Sequence, residues 1–478
     1  MTKMSAASIQ VLAPYGNFDK QVIGGVNRVG RGDGTTSVSN PYTGQVLIDI
    51  RNANVADVDD AFKAAHAAQR AWASFTPGER ARVLGKAVTI MDARKEEIVV
   101  WLIRESSSTR IKATLEWQAT RDMLIQFSAL PYQAKGEILP SDVPEKENSV
   151  YRRPLGVISV ISPWNWPLRL TTRSVAPALA LGNAVVVKPG GETPITGGLL
   201  LARVFEEAGL PPGLLNVVVG QSSEIGDPFV LHPLSPFISF TGSTAVGRRL
   251  GSLTMTGTVL KRIALELGGN APLIVLADAD LQQAISAAVV GKFLHQGKIC
   301  VATNRIIIHA AVYDDFAAGY LTRVKALKIG DPNDSDLLIG PVISIKRMSA
   351  LRQLIKTGLK SGATLALRGE PSGLVLPPHV FTDIGTNSSL TREEIFGPIT
   401  PIIRADDDEA ALSAANESEF GLSSAIFTCD TEHGVRLVHR LDWHDPYQRH
   451  DRQRCAKYSF WRRKEFRSRP IRHPMGNR

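Results

Sequence analysis

Two hydrophobic periods succeed each other along the chain. In its first third, apolar residues recur at helical spacing. Asn54-Val-Ala-Asp-Val-Asp-Asp-Ala-Phe62 opens a helix with an Asn cap and acids in the first turn. Thr76-Pro-Gly-Glu79 reads as a capping box with Pro at the first helical position. Ala81 to Glu105 keeps the helical period, and a further helix spans about Ile111 to Tyr132. Ahead of these, Val38 to Ile50 reads as two strands around a turn at Asn40-Pro-Tyr-Thr-Gly44. Residues up to about Gly34 are weakly patterned.

Gly136-Glu-Ile-Leu-Pro140 and Ser149-Val-Tyr-Arg-Arg-Pro154 predict two strands flanking a polar link. From Gly156 short, continuous apolar runs alternate with helices. Val157-Ile-Ser-Val-Ile161, Ala184-Val-Val-Val187, Asn216-Val-Val-Val219 and Phe237-Ile-Ser-Phe240 are strands, with a helix from about Pro194 to Ala208. Apolar runs of this length between helices predict βαβ units and a parallel sheet covered on both faces. A second α/β segment runs from about Ala271 to Cys429. There is no internal repeat and no low-complexity linker.

Composition narrows the class. A chain of 478 residues is too long for one core, so two or three domains are expected. No apolar run reaches the ~18 residues of a membrane helix, and the first ten residues lack a signal peptide's apolar block. Three widely spaced cysteines argue against a disulfide scaffold and for a reducing, cytoplasmic compartment. The net charge is +9, but residues 442–478 hold eleven Lys/Arg and four Asp/Glu, a net of +7 that leaves +2 for the rest. The basicity therefore belongs to the tail, and neither a nucleic-acid nor a membrane partner is expected.

Several stretches can carry chemistry. Gln296-Gly-Lys-Ile-Cys300 sets a thiol between an apolar helical run and a β-rich run, where it is either a buried filler or a nucleophile. Pro163-Trp-Asn-Trp-Pro167 is a stiff loop around one amide, Asn165, and a rigidly held amide N–H is what an oxyanion needs. Leu265-Glu266-Leu-Gly-Gly-Asn270 offers a carboxylate as a general base. Lys188 ends a buried strand at the edge where such sheets bind ligands. Phe240-Thr-Gly-Ser243 turns from strand to helix, so that Gly242 allows close approach and Ser243 can bond a phosphate. Glu393-Glu-Ile-Phe-Gly-Pro398 pairs acids with a ring before a turn. Each stretch also has a plain structural reading: an aromatic corner, a loop acid, a surface lysine, an N-capped helix. All of these holding at once is much less plausible than a shared site.

Jointly, these motifs make the chain resemble the aldehyde dehydrogenase superfamily from about Ser39 to Leu441. Asn416 and Phe420-Gly-Leu-Ser-Ser424 add to the match. Glu105-Ser-Ser-Ser-Thr-Arg-Ile-Lys-Ala113 and Ile195-Thr-Gly-Gly-Leu199 are similar to the benzaldehyde, salicylaldehyde and vanillin dehydrogenase branch. The resemblance implies an α/β fold. A Rossmann-like cofactor-binding domain would comprise 1–132 and 151–266, a bridging hairpin 133–150, and an α/β catalytic domain 267–441. It implies oxidation of an aldehyde, in this branch an aromatic one, to the acid with NAD. Cys300 would be the nucleophile, Asn165 with the Cys300 N–H the oxyanion site, and Glu266 the base that activates water. Lys188, Gly242, Ser243, Glu394, Phe396 and Trp164 would hold the cofactor. A homodimer or homotetramer is expected, and no metal.

Two positions depart from the family pattern. Relatives often carry a glutamate three residues after the lysine, where it binds ribose hydroxyls; here that position is Gly191, with Glu192 next. A missing carboxylate removes repulsion against a 2′-phosphate, so NADP stays admissible beside NAD. Ser107 stands where relatives usually have glycine, and the sequence attaches no function to it.

After Asp442 the family should continue with Gly-Met, then Pro-Phe-Gly-Gly and Ser-Gly-Leu-Gly. Instead the chain reads Trp443-His-Asp-Pro-Tyr-Gln-Arg-His-Asp-Arg-Gln-Arg454. A frameshift near Asp442 accounts for this. Trp443 is encoded only by TGG and the next codon starts with C, so reading one base later forces glycine. In that frame His444 can become Met, Ser459-Phe-Trp-Arg462 can become Pro-Phe-Gly-Gly, and Phe466-Arg-Ser-Arg-Pro470 can become Ser-Gly-Leu-Gly-Arg. The coding DNA decides the matter. The rival readings are a CoA-acylating enzyme, against which Glu266 speaks, an inactive cofactor-binding remnant, suggested by the tail, and third a nucleic-acid-binding role for the basic tail.

Overall fold

In the computed structural model, which describes residues 12–441, both expected helix starts form through the predicted caps. Asn54 Oδ1 accepts from Asp57 N (3.1 Å) while Asp57 Oδ2 accepts from Asn54 N (3.1 Å), opening helix Val55–Ser74. Thr76 and Glu79 make the same reciprocal pair ahead of helix Pro77–Ala93. The long helical run is two helices: it breaks at Arg94 and resumes as Lys95–Glu105. The next helix, Arg110–Ser128, ends earlier than its spacing predicts and continues as a 3₁₀ turn, Leu130–Tyr132, with proline in the middle. The frameshift and the basic tail concern residues outside those described.

Strands are numbered in chain order. β1 (Gln21–Ile23) and β2 (Val26–Arg28) form a hairpin. β3 (Thr35–Ser39) and β4 (Val46–Arg51) are the predicted pair around Asn40–Gly44. β5 (Glu137–Leu139) and β6 (Asn148–Val150) are the second, solvent-exposed pair. The alternating runs are β7 (Val157–Ile161), β8 (Ala184–Lys188), β9 (Leu215–Val217), β10 (Phe237–Thr241) and β11 (Arg262–Glu266). They pair in parallel within a seven-stranded sheet of order β11-β10-β7-β8-β9-β1-β2. β1 pairs antiparallel with β9 and β2 antiparallel with β1, so the sheet is mixed and not purely parallel. Three-residue strands are too short for a readable period, which is why the N-terminal segment carries so little pattern.

A second sheet succeeds the first. It contains β12 (Pro272–Val275), β13 (Arg305–His309), β14 (Thr364–Leu367), β15 (His379–Thr382), β16 (Ile399–Ala405) and β17 (Ala425–Phe427), in the order β14-β15-β16-β13-β12-β17. Only the β14–β15 pair is antiparallel. β7, β8, β12 and most of β13 are buried, as continuous apolar strands require.

The first sheet changes direction at β7: the chain moves outward through β8 and β9, then returns to the other side of β7 for β10 and β11. Ligands bind beside such a switch point, at the carboxyl ends of the strands. The loops after β7 and β10 flank it, and Lys188 and Glu266 end β8 and β11 at the same edge. The short link 267–271 then carries the chain into the second sheet.

Candidate active site

Residues that precede β13 and β16 meet this edge. Cys300 lies between helix Leu281–Phe293 and β13, and Glu394 and Phe396 lie ahead of β16. The link holds them together. Gly269 N donates to Glu394 Oε1 (3.1 Å). A Cβ on Gly268 would come within 2.5 Å of Glu394 Oε2, and one on Gly269 within 2.1 Å of the Cys300 carbonyl oxygen. Glycine is required at 269 by close approach of the two halves, whereas a side chain at 268 would displace the Glu394 carboxylate. Gly269→Ala should displace the backbone that carries Cys300 and lower kcat by about 10²-fold with the fold retained, since misplacement by ~1 Å costs that much. Steady-state kinetics beside a thermal melt checks it.

Asn165 is buried and donates Nδ2–H to the Lys298 carbonyl (2.9 Å), two residues before Cys300. An amide has two N–H donors, so the second remains for an oxyanion. The Trp164 ring meets Phe396 edge to face, with centroids 5.4 Å apart. Phe396 sits at φ 48°, a strained left-handed value for a ring-bearing residue. Arg347 holds it there by donating to the Ile395 carbonyl and lying over the ring. Gly297, itself at φ 72°, packs on the Gly397 carbonyl at a distance that excludes a side chain. All three stretches, around Asn165, Cys300 and Glu394, therefore touch.

Cys300 is partly exposed and has no disulfide partner. Burial pushes its thiol up to about 11, helped by the carboxylates of Glu394 and Glu266, while Arg173 pulls it down. Arg173 is the group that motif reading missed. From helix Pro167–Ala180 its Nη2 donates to Thr241 Oγ1 (2.9 Å) and its Nη1 lies 3.6 Å from Glu266 Oε2. It thus ties the Glu266 carboxylate to the end of β10 and is a side-chain cation that favours the thiolate, as is Arg169 of the same helix. In Arg173→Met the pH profile of Cys300 alkylation by iodoacetamide should move to higher pH, and kcat/KM should fall about tenfold. An unmoved alkylation profile would show that Arg173 does not act on the thiol.

Glu394 is held above the usual carboxylate range, by burial first, against the Gly269 N–H and Arg347. Buried Asn304 fixes the backbone around it, donating to the Glu393 carbonyl (2.9 Å) and accepting from Ile395 N (3.2 Å). Asn304 bonds Asn270 in turn (2.6 Å). Asn304 and Arg347 carry no local pattern, because their roles exist only across the fold.

The cofactor candidates line the same edge. Lys188 is buried, not a surface lysine. Its Nζ donates to Ser222 Oγ (2.9 Å), and burial lowers its pKa. The loop after it packs on the Pro163–Trp164 backbone through Gly190. Ser243 caps helix Thr244–Thr256, accepting from Val246 N (3.4 Å), so the capped-helix reading holds. A capping hydroxyl accepts and can still donate, so its O–H remains free for an anion at the helix N-terminus. Glycine at 242 is also required by packing: a Cβ there would lie 2.5 Å from the Phe240 ring. An elongated dinucleotide fits this set, with a buried cation, a hydroxyl on a helix N-terminus, a carboxylate and two rings along one edge. An apolar cavity of about 260 Å³ lies behind the nucleophile loop, lined by residues such as Ile299, Val301, Leu273 and Phe427. It contains none of the candidate catalytic groups.

A parallel sheet with a switch point, opposed by a second sheet bearing a cysteine, is the architecture of the family that the motifs resemble. The chain belongs to the aldehyde dehydrogenase family, whose profile, described as "Aldehyde dehydrogenase family", matches residues 29–444. Vanillin dehydrogenase of Corynebacterium glutamicum is 47% identical over 423 residues, covering 88% of this chain and 87% of that protein. Benzaldehyde dehydrogenase YfmT of Bacillus subtilis is 42% identical over 428 residues, 90% of this chain and 88% of that protein. The crystal structure of an NAD-dependent benzaldehyde dehydrogenase from Corynebacterium glutamicum superposes with a TM-score of 0.87 at 46% identity, covering 90% of this chain and 92% of that one. Among the described residues no helix is long and apolar enough to cross a membrane.

Proposed function

We propose that the protein oxidises aromatic aldehydes to carboxylic acids with NAD, through a covalent thioester on Cys300. The observation that carries this reading is the meeting of the thiol, two carboxylates, the anchored Asn165 amide and Arg173 where the two sheets face each other. Cys300 gives up its Sγ proton to solvent, with the Arg173 charge favouring the thiolate, and the thiolate adds to the aldehyde carbonyl carbon. The oxyanion is held by the free Asn165 Nδ2–H and the Cys300 N–H. The cofactor, when bound, supplies the hydride acceptor. Lys188, Ser243, Glu394, Phe396 and Trp164 would hold it, with Gly242 allowing close approach. Glu266 then takes a proton from water as that water attacks the thioester, which releases the acid and regenerates Cys300.

The aromatic class and NAD rest on the relatives' names and on the Trp164–Phe396 ring pair. Open space around Gly191 keeps NADP admissible. Residues 1–132 and 151–266 would form the cofactor-binding domain and 267–441 the catalytic domain. The β5–β6 pair would bridge subunits of a homo-oligomer, a role supported by its exposed Ile138 and the adjoining Tyr151. Unpaired Cys300 and Cys429 agree with a reducing cytoplasm. The end of the family match at residue 444 supports a change of reading frame near Asp442.

The test is a panel of benzaldehyde, vanillin and hexanal with NAD or NADP, followed at the NADH band, with and without CoA. The reading predicts free acid as product, no CoA requirement, and kcat/KM about tenfold or more higher for the aromatic substrates. Hexanal as the best substrate would overturn the substrate class. An acyl-CoA product would overturn the role of Glu266.

A further inference from the structure

Three successive residues before Lys298 are left-handed: His295 (φ 54°), Gln296 (φ 53°) and Gly297 (φ 72°). Two of them are not glycine, so the turn is strained and persists only if its surroundings hold it. Lys298, directly after the turn, has no solvent exposure. Its Nζ contacts Ser107 Oγ (2.6 Å), Ser107 O (3.2 Å) and Pro341 O (3.0 Å). Burial, with Lys112 and Arg347 nearby, holds its pKa well down. The cage is complete in either protonation state. An ammonium donates to all three oxygens; a neutral amine donates to the two carbonyls and accepts from the Ser107 hydroxyl.

The Lys298 backbone carbonyl meanwhile accepts the Asn165 amide (2.9 Å). One residue therefore has its side chain anchored in the junction between helices Lys95–Glu105 and Arg110–Ser128, and its carbonyl on the oxyanion donor. The cage also accounts for Ser107. That residue sits at φ 53°, where glycine is easier, and stands at a position where the family resemblance expects glycine. Its hydroxyl is a wall of the lysine's cage.

We propose that Lys298 and Ser107 form a buried lock that positions Asn165 and Cys300 for attack on the aldehyde. Lys298 is a positioning residue: it acts through the Asn165 amide and the nucleophile loop without touching substrate. This inference rests on the reading of Cys300 and Asn165 given above.

The test is a double-mutant cycle on the full chain with an aromatic aldehyde and NAD. Lys298→Met keeps an unbranched apolar stem, one atom shorter, and removes the donor; it should lower kcat about 30-fold while KM for aldehyde moves less than about threefold, an effect of the size expected for a misplaced oxyanion donor. Lys298→Gln keeps an N–H₂ one atom shorter and should recover part of that loss. Ser107→Gly should lower kcat about fivefold in the wild type and have no effect in Lys298→Met, the non-additivity expected of a pair in contact. If Lys298→Met does not fold, Ser107→Gly and Lys298→Gln must each still slow kcat at nearly constant KM. Equal Ser107→Gly effects in both backgrounds, or kcat unchanged while only the melting temperature falls, would overturn the lock. Cys300→Ala, assayed alongside, separates the two failures. Activity surviving in it refutes the nucleophile, whereas additive lock mutations with Cys300 dependence intact refute only the lock.

Discussion

Cys300→Ala should abolish aldehyde-dependent NADH formation, with kcat reduced ~10⁵-fold or more, because no other group can carry the acyl intermediate. The fold should survive. The thiol is partly exposed and its removal opens no large cavity, so the melting temperature should stay close to that of the wild type. NAD binding should also persist, since Lys188 is held by Ser222 and Ser243 by the helix it caps, and neither depends on the thiol. Tryptophan fluorescence titration with NAD gives that control, with Trp164 beside the expected ring site. Loss of both activity and NAD binding would mean that the variant is misfolded and not chemically disarmed.

The βαβ grammar after Gly156 was legible because buried parallel strands must be apolar throughout, and β7, β8 and β10 stand where their runs predict. The caps at Asn54 and Thr76 were legible because their bonds span only three residues. The motifs around Asn165, Lys188, Glu266, Cys300 and Glu394 could be picked out singly, and the fold brings their stretches to one place. What joins them was not legible. Gly269 and Glu394 are 125 residues apart, Asn165 and Lys298 are 133, and Lys298 and Ser107 are 191. No local period encodes such pairs. Arg173 is one of several polar residues in a mostly buried helix, and its purpose appears only when β10 and β11 end beside it. Gly242 stands in the expected turn, and the Phe240 ring packed against it adds a constraint that the sequence did not show.

Glu266→Gln should have the second large effect and a different signature. Glutamine keeps the shape of the side chain but cannot take a proton, so hydrolysis of the thioester should slow about 10³-fold while acyl transfer to Cys300 proceeds more readily than deacylation. The loose ion pair with Arg173 at 3.6 Å should be lost without unfolding, because the Glu266 side chain is partly exposed and such pairs contribute little to stability. Progress curves should then show a burst of NADH followed by a slow steady rate, where the wild type shows a linear course. A uniform slowing with no burst would place Glu266 before the thioester, not after it.

That burst makes the intermediate accessible. The most direct measurement is rapid acid quenching of Glu266→Gln mixed with benzaldehyde and NAD, followed by intact mass and peptide mapping. The account predicts one benzoyl group per chain, on the peptide carrying Cys300, formed in step with the NADH burst and absent from Cys300→Ala. NADH formed with no acyl adduct, or an adduct on any other residue, would contradict it.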